Sequence, residues 1–391
     1  MYYPPMPLTL YRYLAKEVFS AFSLGLVIFT GVLLMGRMLK LADMVVSKGV
    51  PMAEVLLMVV YLLPNFAIIT IPMSLLLAVL LAFSRLSGDS EIIAIKASGV
   101  SLYRLLPPVL LIALAAYVLT ALTAIYALPI GNTAFKELLY HAIQERLSLN
   151  LKEQVFNTNI PGLLIYVNKN SGKNGILSGV MIQDERNPKD ISTIFAETGS
   201  FGMDEKSRKI HLSLSDGSIH QSRTKGVYRQ LGFTEYNLEI DLSKATNTLA
   251  RNELDMTLTE MRHNLKKGGF SKKLMTDMGL EIHRRFAMPF ACFIFAIVAV
   301  PLGIQNRRSG KAAGFSFSIA ALLLFYIFQS IGKTLGEKEL LAPFLAVWLP
   351  NLIFLAAGLY LFVKSAQEER VAAFDRIVRA VSQLLRKKQS A

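Results

Sequence analysis

The stretch VLLMVVYLLPNFAIITIPMSLLLAVLLAFS, residues 55–84, contains no Asp, Glu, Lys or Arg. Crossing about 30 Å of hydrocarbon takes about 20 helical residues, because each residue advances an α-helix by about 1.5 Å. Five further runs also lack these charged residues, and a backbone in lipid must satisfy its own hydrogen bonds. The sequence therefore predicts six transmembrane helices, over Val18–Gly36, Val55–Ser84, Leu105–Phe135, Phe286–Asn306, Ala312–Gly332 and Leu340–Val363.

The composition of the 391-residue chain argues against an ordinary soluble protein. The chain is 53% hydrophobic and 18% charged, whereas an average globular chain carries about a quarter charged residues. Of the formal net charge of +14, residues 136–285 carry +4 and the remainder carries +10. Positive charge beside apolar runs indicates a membrane surface as the partner and no nucleic acid. The single cysteine, Cys292, lies inside an apolar run, so we expect no disulfide framework.

The distribution of Lys and Arg predicts the orientation, because short cytoplasmic loops are enriched in both residues. With the N-terminus inside, the inside segments hold 15 of these residues and the outside segments hold 5. The segment 136–285 is left out of the comparison, since long domains cross a membrane regardless of charge. Both termini are therefore expected in the cytoplasm, and the long insert is expected on the other side.

The insert between the third and fourth apolar runs has the pattern of β-strands. Alternating apolar residues, often β-branched or aromatic, recur about every ten residues and are separated by turn residues such as Asp216-Gly217. This spacing predicts a small sandwich or jelly roll, whose edge strand could dock another β domain, although a closed fold without that role remains open. The predicted strands are Leu163–Val167, Leu177–Gln183, Ile191–Ala196, Ile210–Leu214, Ser218–His220 and Phe233–Ile240.

The expected fold class is an α-helical membrane protein with six transmembrane helices plus an inserted all-β, jelly-roll-like domain. After the β domain, Thr257–Lys267 is predicted to form a helix, and a second helix is predicted to begin near Ser271 and run into the fourth span. Apolar residues at helical spacing among basic ones predict an amphipathic cytosolic tail on the inner leaflet. The domains are 1–135 (three spans and a short helix near 87–99), 136–256 (β), 257–285 (helical connection), 286–363 (three spans) and 364–391 (tail).

The sequence offers no catalytic, cofactor or metal site. Gly332-Lys333-Thr334 resembles the end of a phosphate-binding loop, but the required first glycine would fall at Ile327. Neither a His-Glu-x-x-His nor a Gly-x-Ser-x-Gly motif occurs. The apolar runs lack the acidic and basic groups that ion-driven carriers keep at mid-membrane. We therefore expect that the chain is not an enzyme and that its work is driven by another subunit.

A short helix is predicted in the inside loop between the second and third runs. Asp89 or Ser90 can cap it, Glu91 lies in its first turn, and Gly99 can end it. Ile92, Ile93 and Ile95 are expected to form an apolar surface, which is unusual beside water. Such a helix fits a docking element for a soluble partner. A helix lying on the bilayer is the alternative.

Ser90-Glu91-Ile92 followed by Ala97-Ser98-Gly99 resembles the signature of the lipopolysaccharide-export permease family, LptF and LptG. His283 and Arg285, just before the fourth run, point to the LptF branch. The resemblance extends along the chain through Tyr13-Leu14, Lys16-Glu17, Pro72-Met73-Ser74, Pro301-Leu302 and Arg307-Arg308-Ser309-Gly310-Lys311, where Lys311 replaces the family's last arginine.

The resemblance implies a multi-pass permease subunit of an ABC transporter in the bacterial inner membrane, with its β domain in the periplasm. The implied partners are an LptG-like permease, an LptB-like ATPase dimer, an LptC-like protein and lipopolysaccharide itself. Lipopolysaccharide would leave the bilayer and pass through the periplasmic jelly roll towards the outer membrane. The ATPase would dock on Glu91, Ile92, Ile93, Ile95, Arg307, Arg308 and Lys311.

Arg37 and Lys40 follow the first apolar run on the outer side, where a lipid phosphate needs a cation. The resemblance links these positions to the lipid headgroup. Their alternative is snorkelling, in which a long basic side chain extends to the ordinary headgroup layer. Two rival functions also stay open: a permease for another lipid or a lipoprotein, and a membrane scaffold that recruits periplasmic proteins.

Overall fold

A computed structural model of the chain describes residues 8–46, 50–149, 153–160, 162–171, 176–185, 190–204, 209–223, 228–241, 251–305 and 310–367. Within these ranges, six helices are long and apolar enough to cross a membrane. The predicted six spans and inserted all-β domain are therefore confirmed. The candidate spans are Leu8–Leu39, Met52–Gly88, Leu102–His141, Lys272–Ile304, Ile319–Glu337 and Pro343–Ala366.

The helices follow one another along the chain with a sheet between the third and fourth spans. The helices before the sheet are α1 (Leu8–Val46), α2 (Met52–Gly88), the short α3 (Glu91–Ala97), α4 (Leu102–Leu122), a π-helical segment (Thr123–Ala127) and α5 (Leu128–Leu149). The helices after it are a 3-10 turn (Glu253–Asp255), α6 (Leu258–Lys267), α7 (Lys272–Gln305), α8 (Gly310–Glu337) and α9 (Pro343–Ala366).

The chain folds into two compact units. The membrane unit comprises Met1–Leu39, Leu62–Gly131 and Glu253–Ala391. The β unit comprises Lys40–Tyr61 and Asn132–Asn252.

Helices α2 and α7 form the centre of the membrane unit. In the most apolar stretch of each of these helices, 78% and 83% of the residues are buried. The corresponding fractions in α1 and α8 are 11% and 22%. Phe295 of α7 and Phe325 of α8 are fully buried and meet edge to face, with ring centroids 4.7 Å apart. Many apolar side chains of α1 and of residues 319–337 in α8 are therefore exposed, as they are where a helix contacts lipid or another apolar surface.

Small and polar residues hold the last three spans together. A Cβ atom on Gly332 of α8 would collide with the carbonyl oxygen of Ala346 in α9, so glycine permits this close approach. Asn351 donates to the carbonyl oxygen of Ala287 at 2.7 Å and accepts from Gln329 at 3.2 Å, which links α7, α8 and α9. Because Gly332-Lys333-Thr334 lies inside α8, this triplet is helical and does not form a phosphate-binding loop.

The β unit holds one six-stranded antiparallel sheet whose strands lie side by side in sequence order. One face carries buried apolar residues such as Ile165, Val180 and Leu212, and Tyr140 of α5 belongs to the same core. The strands are β1 (Phe156–Ile160), β2 (Leu163–Ser171), β3 (Ile176–Asp184), β4 (Asp190–Asp204), β5 (Lys209–Arg223) and β6 (Tyr228–Asp241).

Two details of the sheet differ from the sequence prediction. Ile210–Leu214 and Ser218–His220 are parts of the single strand β5, which pairs with both neighbours through Gly217. A Cβ atom at Gly217 would collide with the carbonyl oxygen of Phe195, so Asp216-Gly217 marks a close backbone approach and no turn. Strand β1 was not predicted, because its sequence, FNTNI, is rich in asparagine.

Helix α6 shows why the segment after the sheet could be predicted. Thr257 accepts a hydrogen bond from the Glu260 backbone N–H at 3.2 Å, and Glu260 accepts one from the Thr257 backbone N–H at 2.9 Å. This reciprocal capping box begins the helix, and Gly268, with φ of 67°, ends it. Helix α7 then begins at Lys272, as predicted from Ser271.

Candidate coupling site at the α3 end of the membrane unit

Helix α3 is joined to α2 by a sharply turned backbone. Ser90 occupies the N-cap position with φ of 62°, a left-handed conformation that is unfavourable for an L-residue. Its carbonyl oxygen accepts from the N–H groups of Ile93 and Ala94, but its side chain makes no capping hydrogen bond. Gly99, with φ of 83°, follows the last turn and ends the helix as predicted.

Helix α3 buries one isoleucine and exposes the next. Ile92 has no exposed surface and belongs to the core of the membrane unit, whereas Ile93 is 43% exposed. Ile95 packs half-buried against the same core. The expectation that all three form an apolar surface is therefore wrong for Ile92. Consecutive helical residues point about 100° apart, so Ile92 and Ile95, three positions apart, share the inward face.

The carboxylate of Glu91 is bound by the first span. The Tyr13 hydroxyl of α1 lies 3.0 Å from Glu91 Oε2 and 3.2 Å from Oε1, close enough to donate to either oxygen. Leu14, the next residue of α1, is fully buried in the same core as Ile92. The backbone around this hydrogen bond is therefore held by packed apolar neighbours on both helices.

An ion-pair network lies beside this hydrogen bond. Arg85, near the end of α2, pairs with Glu17 of α1, and its Nε atom lies 3.6 Å from Asp89. These side chains are partly exposed, so water weakens both pairs, and their main effect is to orient the helix ends. We call Tyr13, Glu17, Arg85, Asp89 and Glu91 the α3-end cluster.

Sequence reasoning singled out only Glu91 from this cluster as a site residue. The other available signal was charge, since Glu17 and Arg85 lie near the ends of two predicted spans. A charged residue beside an apolar core favours an oppositely charged neighbour at the same depth. A hydrogen bond between residues 78 positions apart, such as that of Tyr13 with Glu91, leaves no such signal.

The other predicted site residues do not join this cluster among the described side chains. Arg307 and Arg308 lie outside the described residues, and Lys311 is placed only as part of helix α8. Arg37 is exposed on α1, and Lys40 belongs to the same helix. Residues 368–391, most of the predicted tail, also lie outside the described part.

A second charged cluster, which the sequence did not predict, is almost fully buried. The Nε atom of Arg285 in α7 lies 3.3 Å from Glu281 Oε1, and the two side chains are 1% and 6% exposed. The Nη2 atom of Arg285 donates to the carbonyl oxygens of Glu253 and Leu254, at 3.3 and 3.4 Å. Arg285 therefore fastens the segment that follows the sheet to α7. The spacing of four residues between Glu281 and Arg285 was the available signal.

No metal site is visible in the described ranges, where no group of three or more His, Cys, Asp or Glu side chains could hold an ion. The described features are six apolar helices, an inserted antiparallel sheet and a short polar-edged helix between the second and third spans. Together they define a multi-pass helical membrane protein with an inserted β domain.

Comparison with known proteins identifies the family. The sequence model of the family "Lipopolysaccharide export system permease LptF/LptG" matches residues 12–364. The lipopolysaccharide export system permease protein LptF of Escherichia coli strain K12 is 24% identical over 366 residues, covering 90% of this chain and 93% of that protein. An uncharacterized protein of Rickettsia prowazekii is 24% identical over 364 residues, covering 90% and 98%. The chain belongs to the LptF/LptG permease family and is an integral inner membrane protein.

Proposed function

We propose that this chain is the permease subunit of an ABC transporter that extracts lipopolysaccharide from the inner membrane. The observation that carries the proposal is the family match over residues 12–364 together with six apolar spans. The chain hydrolyses no ATP, and a separate LptB-like ATPase dimer supplies the energy. An LptG-like permease completes the membrane part of the complex.

The proposed orientation places both termini and α3 in the cytoplasm. The excess of Lys and Arg in the short segments on that side supports it. The β domain, residues 136–256, then lies in the periplasm, and the connection 257–285 leads into the spans of residues 286–363. In this arrangement the β domain takes lipopolysaccharide from the membrane unit and passes it towards an LptC-like protein.

Docking of the ATPase is proposed at the outward side of α3. Glu91 is half-buried and offers a carboxylate, and Ile93 offers an exposed apolar side chain. Ile92 and Ile95 support the site from within, because they anchor α3 to the core. Arg307, Arg308 and Lys311 are proposed as a second, basic contact with the ATPase.

The lipid path is proposed along α1 and α8, whose apolar side chains face outward. Acyl chains of lipopolysaccharide can cover such surfaces, because lipid tails are about as apolar as the exposed side chains. Arg37 and Lys40 are proposed to hold a phosphate of the lipid headgroup, as cations do at charged lipid surfaces.

Photo-crosslinking tests the headgroup site. A photoreactive residue in place of Arg37 or Lys40 is expected to crosslink to lipopolysaccharide in cells, because both positions would lie beside its phosphates. The control is the same residue in place of Leu111 of α4, which is 70% exposed but outside the proposed path. Crosslinks to lipopolysaccharide at position 111 and none at positions 37 and 40 would favour snorkelling.

Release of lipopolysaccharide from vesicles that contain the complete complex tests the function as a whole. ATP-dependent release supports the proposal. A different lipid or a lipoprotein retained by the purified complex and moved in place of lipopolysaccharide supports the alternative permease. A complex whose spans do not respond to ATP supports the scaffold.

A further inference from the structure

Helix α1 is the most exposed span, yet its first turns are fastened to α3. Only 11% of the residues in its most apolar stretch are buried. At this end, two of its side chains make described polar contacts: Tyr13 bonds Glu91, and Glu17 pairs with Arg85. Only the first of these contacts reaches α3 itself.

We propose that Tyr13 is a positioning residue that transmits the docking of the ATPase at Glu91 to helix α1. This inference rests on the proposed function, in which Glu91 meets a cationic side chain of the ATPase. A carboxylate has about four lone-pair sites, so Glu91 can accept the Tyr13 hydroxyl and still bind a cation. A displacement of the carboxylate therefore acts directly on α1 through a charge-assisted hydrogen bond.

The packing around this contact favours movement of α1 over movement of α2. Leu14 and Ile92, the chain neighbours of Tyr13 and Glu91, are both fully buried in one core, so the backbones on either side of this exposed hydrogen bond are held in place. Helix α2, which precedes α3, has 78% of the residues in its most apolar stretch buried. Because it is packed into that core, it must move with it. Helix α1 has far less buried surface to hold it, so the same force displaces α1 more easily.

The experiment uses the complete complex with lipopolysaccharide in vesicles and the variant Tyr13→Phe, which removes one hydroxyl. Assembly of the complex is expected to persist, because Glu91 and Ile93 are unchanged. The amount of lipopolysaccharide released per ATP hydrolysed is expected to fall about tenfold, the loss associated with removing a hydrogen bond to a charged acceptor. Tyr11→Phe, two residues earlier on α1, is the matched control and is expected to behave as the wild type.

A second measurement separates transmission from simple support of the fold. A cysteine in place of Met35, which is 72% exposed on α1, reports the surroundings of that helix through its rate of labelling by a maleimide. The labelling rate is expected to differ between nucleotide-free and ATP-trapped complexes. In Tyr13→Phe this difference is expected to disappear.

Three results would overturn the role of Tyr13: wild-type release per ATP, an unchanged nucleotide-dependent labelling difference, or failure of the Tyr13→Phe complex to assemble. The last result would make the hydroxyl part of assembly instead of transmission. Absence of ATP-dependent release in the wild-type complex is a separate result, which would contradict the proposed function itself.

Discussion

Glu91→Lys is expected to weaken strongly the assembly of the chain with the proposed ATPase. The half-buried carboxylate of Glu91 is the only acidic side chain of α3, and the proposed partner is a cation. Loss of one member of a buried charge pair costs about 2–5 kcal/mol, and here a like charge takes its place. We therefore expect binding to weaken at least about 30-fold, with a parallel loss of lipid export.

The measurement is co-purification of the ATPase with the variant, followed by the ATPase activity of the recovered complex. Glu91→Gln is the graded comparison, because its amide oxygen can still accept from Tyr13 while its charge is lost. Its effect is expected to lie between those of the wild type and Glu91→Lys. Glu235→Lys, which changes an exposed acid of β6, is the charge-reversal control. Normal recovery and activity of Glu91→Lys would show that the ATPase docks elsewhere.

Arg285→Ala is expected to be the most destabilising single substitution in the described polar clusters. It removes the buried arginine partner of Glu281 in α7, leaves that carboxylate with the partly exposed Arg284, and frees the carbonyl oxygens of Glu253 and Leu254. Breaking a buried pair by removing one partner costs about 3–5 kcal/mol. We expect a lower unfolding temperature for the protein in detergent and a lower yield of folded protein.

Arg284→Ala is the matched control for this prediction. Arg284 also contacts Glu281, at 3.3 Å, but its side chain is 31% exposed, so its loss is expected to cost about 1 kcal/mol or less. The double variant Glu281→Leu with Arg285→Met removes both charges and is expected to recover part of the lost stability. Equal unfolding temperatures for Arg284→Ala and Arg285→Ala would contradict the assigned role of Arg285.

The six spans and helix α6 could be predicted because their signals are local. An uncharged apolar run as long as residues 55–84 indicates a transmembrane helix by its length and composition alone. The capping pair of α6, Thr257 and Glu260, lies only three residues apart. The end of α3 at Gly99 was local as well, since a glycine after a short helix can adopt the left-handed conformation.

The candidate site was predicted less completely because its contacts are distant in sequence. The burial of Ile92 depends on packing against the core of the membrane unit, which composition does not reveal. The Tyr13 hydroxyl meets Glu91 from another span, and Gly217 is required by the nearby carbonyl oxygen of Phe195 in a neighbouring strand. In each case the deciding neighbour is placed by tertiary structure.

The exposed spans and the anchored α3 suggest how a chain without acidic or basic groups in its apolar runs could do work. Helices α2 and α7 form a packed centre, and α1 and α8 lie around it with outward-facing apolar side chains. A force applied at α3 can therefore change the position of the outer helices while the centre remains packed. The energy in this account comes entirely from the ATPase.

The most direct test of that dependence is transport in vesicles prepared with and without the ATPase. Vesicles that contain this chain, its partner permease, the ATPase and lipopolysaccharide are predicted to release the lipid to a soluble periplasmic acceptor when ATP is added. The same vesicles without the ATPase, or with an ATPase unable to hydrolyse ATP, are predicted to release none. Release by this chain alone would contradict the account.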